Sequence, residues 1–339
     1  MVPDSISDLV AARSAQIIET RRFFHGIPEL GFEENETGKA IADRLTAAGL
    51  AVETGIGKTG LVAVLEGAKP GPRLMIRADI DGLPVDELTG LDFASTNGRM
   101  HACGHDGHIT MAVTAAEILA AMKDQLAGTL IFVFQPAEEV VMGALAMIDD
   151  GLFEKYPADR VIGTHLWNQI PTGTIGVNRA TVFASADQFR LTVHGKGGHG
   201  AMPHKTIDPV AAIAEIITTA QTVVSREVPP NEMGVLTFGQ IHGGSAPNVI
   251  ADSVTVEGTV RAYTAETRIL IMRALERIAN NVAAAMRATT SFERIHGAPP
   301  VINDSEVAAW VTRQASLVVG EGNAKEWEPV SVGDDMAEF

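Results

Sequence analysis

The sequence predicts an α/β protein, a sheet domain interrupted by a smaller α+β insertion. Three observations carry this. Apolar strand-like runs at 60–66, 73–80 and 128–134 alternate with segments of helical period. Two of these runs end in acidic pairs, Asp79-Ile-Asp81 and, after Gln135-Pro-Ala, Glu138-Glu139. Near residues 180–190 the pattern changes, and strand signals are then interleaved with two long amphipathic helices. The 339 residues give ample length for two cores.

Taken in order, residues 5–24 read as one helix with Ile6, Leu9, Val10, Ile17 and Phe24 on one face. Pro28 bars its continuation. A second helix covers 35–48 and stops at Gly49, a good C-terminal cap. The run 73–80 is apolar on both faces, as a buried strand of an α/β sheet should be. Its end places Asp79 and Asp81 on one face, at the edge where open α/β sheets hold ligands. The same pair fits a polar strand end leading into the Gly82-Leu-Pro turn equally well. Asp106 reads as the N-cap of a helix over 107–122. Strand 128–134 leads to Glu138 and Glu139, and His165 ends the strand-like run from Arg160. A lone histidine there is most often structural; this one is the third ligand-type residue at a strand end.

Beyond 180, strands at 186–194, 232–241 and 252–262 accompany two helices. Asp208-Pro209 starts the first, N-cap then proline, burying Val210, Ile213, Ile217 and Val224. The second runs 265–286 with Ile271, Leu275, Ile278 and Val282 at helical spacing. The loop Gly195-Lys-Gly-Gly-His199 lacks the pattern of a phosphate-cradling loop. Pro299-Pro300 marks a linker to a helix at 304–319. The predicted domains are 1–182 with 296–339, and an insertion at 183–295.

The net charge of −16 argues against nucleic acid and anionic membranes, which need a basic footprint. A single cysteine excludes an internal disulfide framework and fits a reducing compartment. Residues 1–8 lack the basic-then-apolar pattern of a signal peptide. The apolar run 109–122 is interrupted by Glu117 and is too short to span a bilayer. These features predict a cytoplasmic protein.

That cysteine stands in Met100-His-Ala-Cys103-Gly-His105-Asp106. Two imidazoles and a carboxylate are poor company for a buried apolar cysteine but suit metal ligation. Adjacent carboxylates can divide labour, one binding metal and the other accepting a proton from an activated water. Cys103 as a thiol nucleophile, with His101 or His105 as base, is the competing reading; it leaves the paired glutamates without a part.

The motifs form an ordered set: His25-x-x-Pro28-Glu29…Glu34…Thr37, Arg77-Ala-Asp79-Ile-Asp81-Gly-Leu-Pro84, Met100 to Asp106, Gln135 to Glu139, Gly163-Thr-His165, Gly195 to His199, Asn248-Val-Ile, and Gly258-Thr-Val-Arg261. In that order the chain resembles the dinuclear-metal amidohydrolases of the aminoacylase and glutamate-carboxypeptidase superfamily, in the hippurate hydrolase and auxin–amino-acid conjugate hydrolase branch. The resemblance implies a phosphorylase/hydrolase-like metal-binding domain with an inserted dimerisation or lid domain. It implies two divalent ions (Zn, Mn, Ni or Co) held by Cys103, His105, Glu139 and His165. Glu138 would be general base and then acid; His199 would stabilise the oxyanion; Asn248 and Arg261 would hold the substrate carboxylate. Asp79, Asp81 and Asp106 would orient the ligands. The implied reaction is hydrolysis of an N-acyl amino acid by a homodimer. One departure is Val140-Val141-Met142, standing before Gly143 where a glycine-rich turn is usual; it would narrow or grease the site. The family pattern also continues beyond Gly333-Asp-Asp-Met336 to a last ligand histidine, and this sequence closes at Phe339. Either the sequence is an incomplete piece of a chain that carries that histidine, or the alternative expectation holds: a truncated, catalytically impaired relative that folds and dimerises without that ligand.

Overall fold

The structure is a computed structural model and describes residues 4–339. Residues 1–3 of the expected first domain, and part of the N-terminal stretch read for a signal peptide, lie outside the described residues. The chain divides into two compact units. The first comprises the chain through Arg179, Asp304–Trp327 and Glu338–Phe339. The second comprises Ala180–Asn303 and Glu328–Ala337.

The first unit opens with helices α1 (Asp4–Ala12), α2 (Ser14–His25) and α3 (Asn35–Ala47). The single helix expected over 5–24 is thus two, broken at Arg13. Its sheet has five strands: β1 (Ala51–Ile56), β2 (Gly60–Glu66), β3 (Lys69–Asp79), β4 (Ala127–Gln135) and β5 (Arg160–Gly163). Their order is β1-β2-β4-β3-β5, and β3 runs parallel to both neighbours, β4 and β5. Helices α4 (His105–Ala121), α5 (Gly143–Asp149) and α6 (Leu152–Lys155) complete this part, with a short strand β6 (Ile175–Val177).

The apolar run of β4 is explained by burial on both faces. Phe132 and Phe134 pack with Phe24, Ile41, Leu45, Ile109 and Val113 from the helices. Ile131 and Val133 alternate to the other face, against Met75, Met147 and Leu152.

The second unit holds β7 (Thr181–Phe183), β8 (Ala186–His194), β9 (Gly198–His199), α7 (Pro209–Thr222), β10 (Gly234–Gly243), β11 (Val249–Ile250), β12 (Ser253–Ala262), α8 (Ala265–Ala285), β13 (Thr289–Ala298) and β14 (Val301–Ile302). Its antiparallel sheet has the order β10-β12-β8-β13. Alternate residues of β8 and β12 point into a core with α7 and α8: Phe189, Leu191, Val193, Val254, Val256 and Val260 meet Ile213, Ile216, Ile271 and Leu275. Asp208 caps α7 through the amides of Val210 and Ala211, as its Asp-Pro start predicts. Val210 corrects the expected stripe: it is exposed, while Ile213 is buried as expected, alongside Ala212, Ile216 and Ala220. β14 pairs with β7 and β13 runs to Ala298, so this unit extends beyond 183–295 at both ends. The chain returns to the first unit through α9 (Ser305–Val319) and β15 (Ala324–Glu326), which pairs in parallel with β6. No helix among the described residues is long and apolar enough to cross a membrane.

Candidate metal centre

Three parallel strands deliver side chains to one edge of the first unit's sheet. Asp79 ends β3 opposite Gln135 at the end of β4, and Arg77 lies opposite Gly163 at the end of β5. Asp81, the Glu138-Glu139 pair and His165 therefore follow strand ends that sit side by side. The first turn of α4 supplies His105. Gly104, at φ +91°, makes the left-handed entry into that helix. This corrects the reading of Asp106 as the N-cap. Asp106 lies within the first turn, fully buried, and its Oδ2 accepts from His25 Nδ1 (2.9 Å) and Arg21 Nε (3.1 Å).

His105 is the hub. Its Nδ1 donates to the Asp81 carbonyl at 2.9 Å, and its Nε2 faces the site. Nε2 stands 3.6 Å from Asp79 Oδ2, 3.8 Å from Glu138 Oε2 and 3.9 Å from Glu139 Oε1. These spans are too long for hydrogen bonds. His165 Nδ1 donates to the Leu166 carbonyl at 2.7 Å, and its Nε2 lies 3.5 Å from Cys103 Sγ. His105 Nε2, Glu139 Oε1 and Asp81 Oδ1 are buried with no hydrogen-bond partner. Buried polar atoms are seldom left so.

A cation accounts for these distances. Ligands about 2.0–2.3 Å from a tetrahedral ion stand roughly 3.3–3.8 Å from one another. Cys103, His105 and His165 form one such group, and His105, Glu138 and Glu139 another. Thiolate, imidazole and carboxylate suit Zn-, Mn-, Ni- or Co-like ions. The donors present fit a divalent metal. Of the two bases considered for a thiol nucleophile, His105 lies in one group with Cys103 and His165, and the imidazole in contact with the thiol is His165 at 3.5 Å. Both ring nitrogens of His101 are buried without partners.

The electrostatics are those of an uncompensated acidic site. Burial pushes the Glu139 carboxyl up to about 7; His105 opposes this, and Asp81 and Asp79 reinforce it. Burial also works against ionised Asp79, but His105, Arg77 and His108 outweigh it and hold its pKa well below the carboxylate range. For His105 burial is the largest single effect and lowers its pKa, but Asp79, Asp81 and Cys103 together outweigh it and hold the pKa well above the imidazole range.

Two residues given no role in the sequence reading belong to this arrangement. Arg77 donates to Asp79 Oδ2 and to Gln135 Oε1, both at 2.8 Å, tying β3 to β4. His108 Nδ1 contacts Asp79 Oδ1 at 2.5 Å, and its Nε2 accepts the Leu166 amide at 2.8 Å. It thus fixes the backbone beside His165. Its signal was its position three residues after His105, on the same helical face.

The other predicted residues lie in the second unit. His199 on β9 pairs with Val249 on β11, and Gly200 donates to the Asn248 carbonyl at 2.8 Å, so His199 and Asn248 share one exposed ribbon. Arg261 lies on β12, half-buried, away from that ribbon in the four-stranded sheet.

Residues 75–339 match the sequence profile of peptidase family M20/M25/M40. The chain belongs to this family. It is a hydrolase acting on amide bonds. An N-acyl-L-amino acid amidohydrolase from Geobacillus stearothermophilus is 40% identical over 308 residues, 90% of this chain and 83% of that one. An N-acetyl-L-cysteine deacetylase from Bacillus subtilis is 38% identical over 328 residues, 96% of this chain and 77% of that one. Among solved structures, the Bacillus subtilis YXEP protein, described as a dinuclear metal binding peptidase from the M20 family, superposes with TM-score 0.83 at 34% identity, covering 97% of this chain and 86% of that one.

Proposed function

We propose that this M20-family hydrolase cleaves the amide bond of N-acyl amino acids. The observation that carries the reading is the convergence of Glu138, Glu139 and the bare His105 Nε2 beside the Cys103–His165 pair. Cys103, His105, Glu139 and His165 would hold two divalent ions. Such ions lower the pKa of a bound water from about 15.7 toward 7 and polarise a carbonyl. Glu138 accepts the proton of the attacking water at a carboxylate oxygen and returns it to the leaving amine nitrogen. Asp81 orients His105 through its carbonyl and the glutamate turn through its carboxylate, Asp79 fixes His108, and Asp106 supports α4 through His25.

His199 stabilises the tetrahedral oxyanion, and Asn248 with Arg261 holds the substrate carboxylate, for which a cationic fork is suited. The chain works as a homodimer in the cytoplasm, paired through its second unit, the inserted dimerisation domain. The hippurate-like version of this reading takes an apolar acyl group. Val140 and Met142, both exposed directly after Glu139, favour it.

A screen of N-acetyl and N-benzoyl amino acids, run with Zn, Mn, Ni and Co, tests the proposal by release of free amino acid. Hydrolysis that needs added metal is expected. Metal bound without turnover of any member would overturn it.

A further inference from the structure

Two buried carboxylates hold the backbone on either side of Glu138. Asp81 Oδ2 accepts the Glu139 amide at 3.0 Å. Glu34 Oε1 accepts the Ala137 amide at 2.8 Å, and its Oε2 accepts the Thr59 hydroxyl at 2.5 Å. Asp81 adjoins the metal-facing group. Glu34 lies more than a hundred residues earlier in the chain and has no part in the site described above.

Glu34 stands at the N-cap position of α3, where an acidic side chain ordinarily accepts amides of its own helix. It makes no such bond. Glu29 takes that task, accepting the amides of Asn35, Glu36 and Thr37 at 3.2, 3.1 and 2.8 Å. With the helix capped by Glu29, the Glu34 side chain enters the interior and is fully buried. Burying a carboxylate is costly and calls for partners, and the Ala137 amide and Thr59 hydroxyl are the ones it finds.

The amide it holds is a strained one. Ala137 sits at φ +51° and is fully buried, and Val141, four residues on, sits at φ +57°. Such conformations persist only where surrounding structure dictates them, and they cluster at functional sites. The Ala137 carbonyl accepts the amides of Met142 and Gly143, and Glu138 accepts that of Val141 at 2.7 Å, closing the turn. Gly31 presses against it: a Cβ there would lie 2.9 Å from Ala137 Cα.

We infer that Glu34 is a positioning residue for Glu138: through the Ala137 amide its carboxylate fixes the turn that aims the general base. The inference rests on the reading of Glu138 as base. Replacement by glutamine preserves the geometry, because the amide oxygen accepts from Ala137 and the NH2 donates to the Thr59 hydroxyl, which reverses its role. Replacement by alanine removes both bonds.

The test compares Glu34→Ala, Glu34→Gln and Glu138→Gln. Glu34→Ala is expected to lower kcat tenfold or more, with KM within threefold and metal content unchanged. Glu34→Gln is expected within threefold of the parent. Hydrogen exchange at the Ala137 amide should be protected in the parent and Glu34→Gln and fast in Glu34→Ala. An Ala variant within twofold of the parent, or a Gln variant as slow as Ala, overturns the inference while an inactive Glu138→Gln leaves the base assignment standing. Full turnover by Glu138→Gln overturns that assignment, and the inference with it. Should Glu34→Ala fail to fold, exchange in the parent and Glu34→Gln decides: an unprotected Ala137 amide in either refutes the inference.

Discussion

At the sheet edge of the first unit, His25, Glu34, Asp79, Asp81, His101, His105, Asp106 and His108 are all buried. Beneath the four-stranded sheet of the second unit lie Phe189, Leu191, Ile213, Val256, Ile271 and Leu275. Its buried charge within that sheet, Asp187, is neutralised by Arg268 and Arg294 at 2.6 Å each. The contrast separates two uses of an interior. Buried ionisable groups cost stability unless paired, so a region that collects them is preorganised for a ligand at the expense of its own folding. An apolar core supplies stability and a rigid platform without chemistry.

The comparison can be broken first at Glu138. Glu138→Gln should lower kcat by about 10²–10⁴-fold and leave metal content intact; lost metal would mean that Glu138 and Glu139 exchange roles. His199→Ala should cost about 10²–10³-fold in turnover, the effect of losing one oxyanion donor, again with the metals retained. Unchanged turnover would remove His199 from the chemistry. Leu275→Ala sharpens the other side. This fully buried side chain should cost about 2–5 kcal/mol of stability in denaturant titration. The folded fraction should keep its metal, and a loss of metal at full folding would contradict the division.

The smallest effect at neutral pH belongs to His101. Burial, opposed by Asp106, lowers its pKa to about 4 from an ordinary 6.5. Between those values the unfolded chain binds a proton that the folded chain refuses, so stability falls as pH drops from about 6.5 to about 4. His101→Gln should flatten that slope in acid titration of stability. An identical slope would show that the ring is solvated.

Much of the fold was legible because burial leaves a local trace. β2 and β8 follow directly from their apolar patterns, and Asp208-Pro209 announces α7. The order of motifs pointed to the right family for the same reason: each is a short stretch at a strand end or helix start. What was not legible depends on long-range bonds. Asp106 looks like a cap until His25 and Arg21 claim its carboxylate. Glu34 looks like a cap until Glu29 is seen to replace it. Val210 has the period of a buried residue, but Ala212 and Ile216 are buried in its place. Arg13 breaks the first helix without proline or glycine, and no sequence signal marks it.

The central claim is that Cys103, His105, Glu139 and His165 hold divalent metal. Metal titration followed by elemental analysis tests it most directly, on the parent chain and on Cys103→Ala. The account predicts saturation at two divalent ions per chain in the parent and loss of metal in the variant. A parent that holds none, or a Cys103→Ala protein that binds as many as the parent, would contradict it.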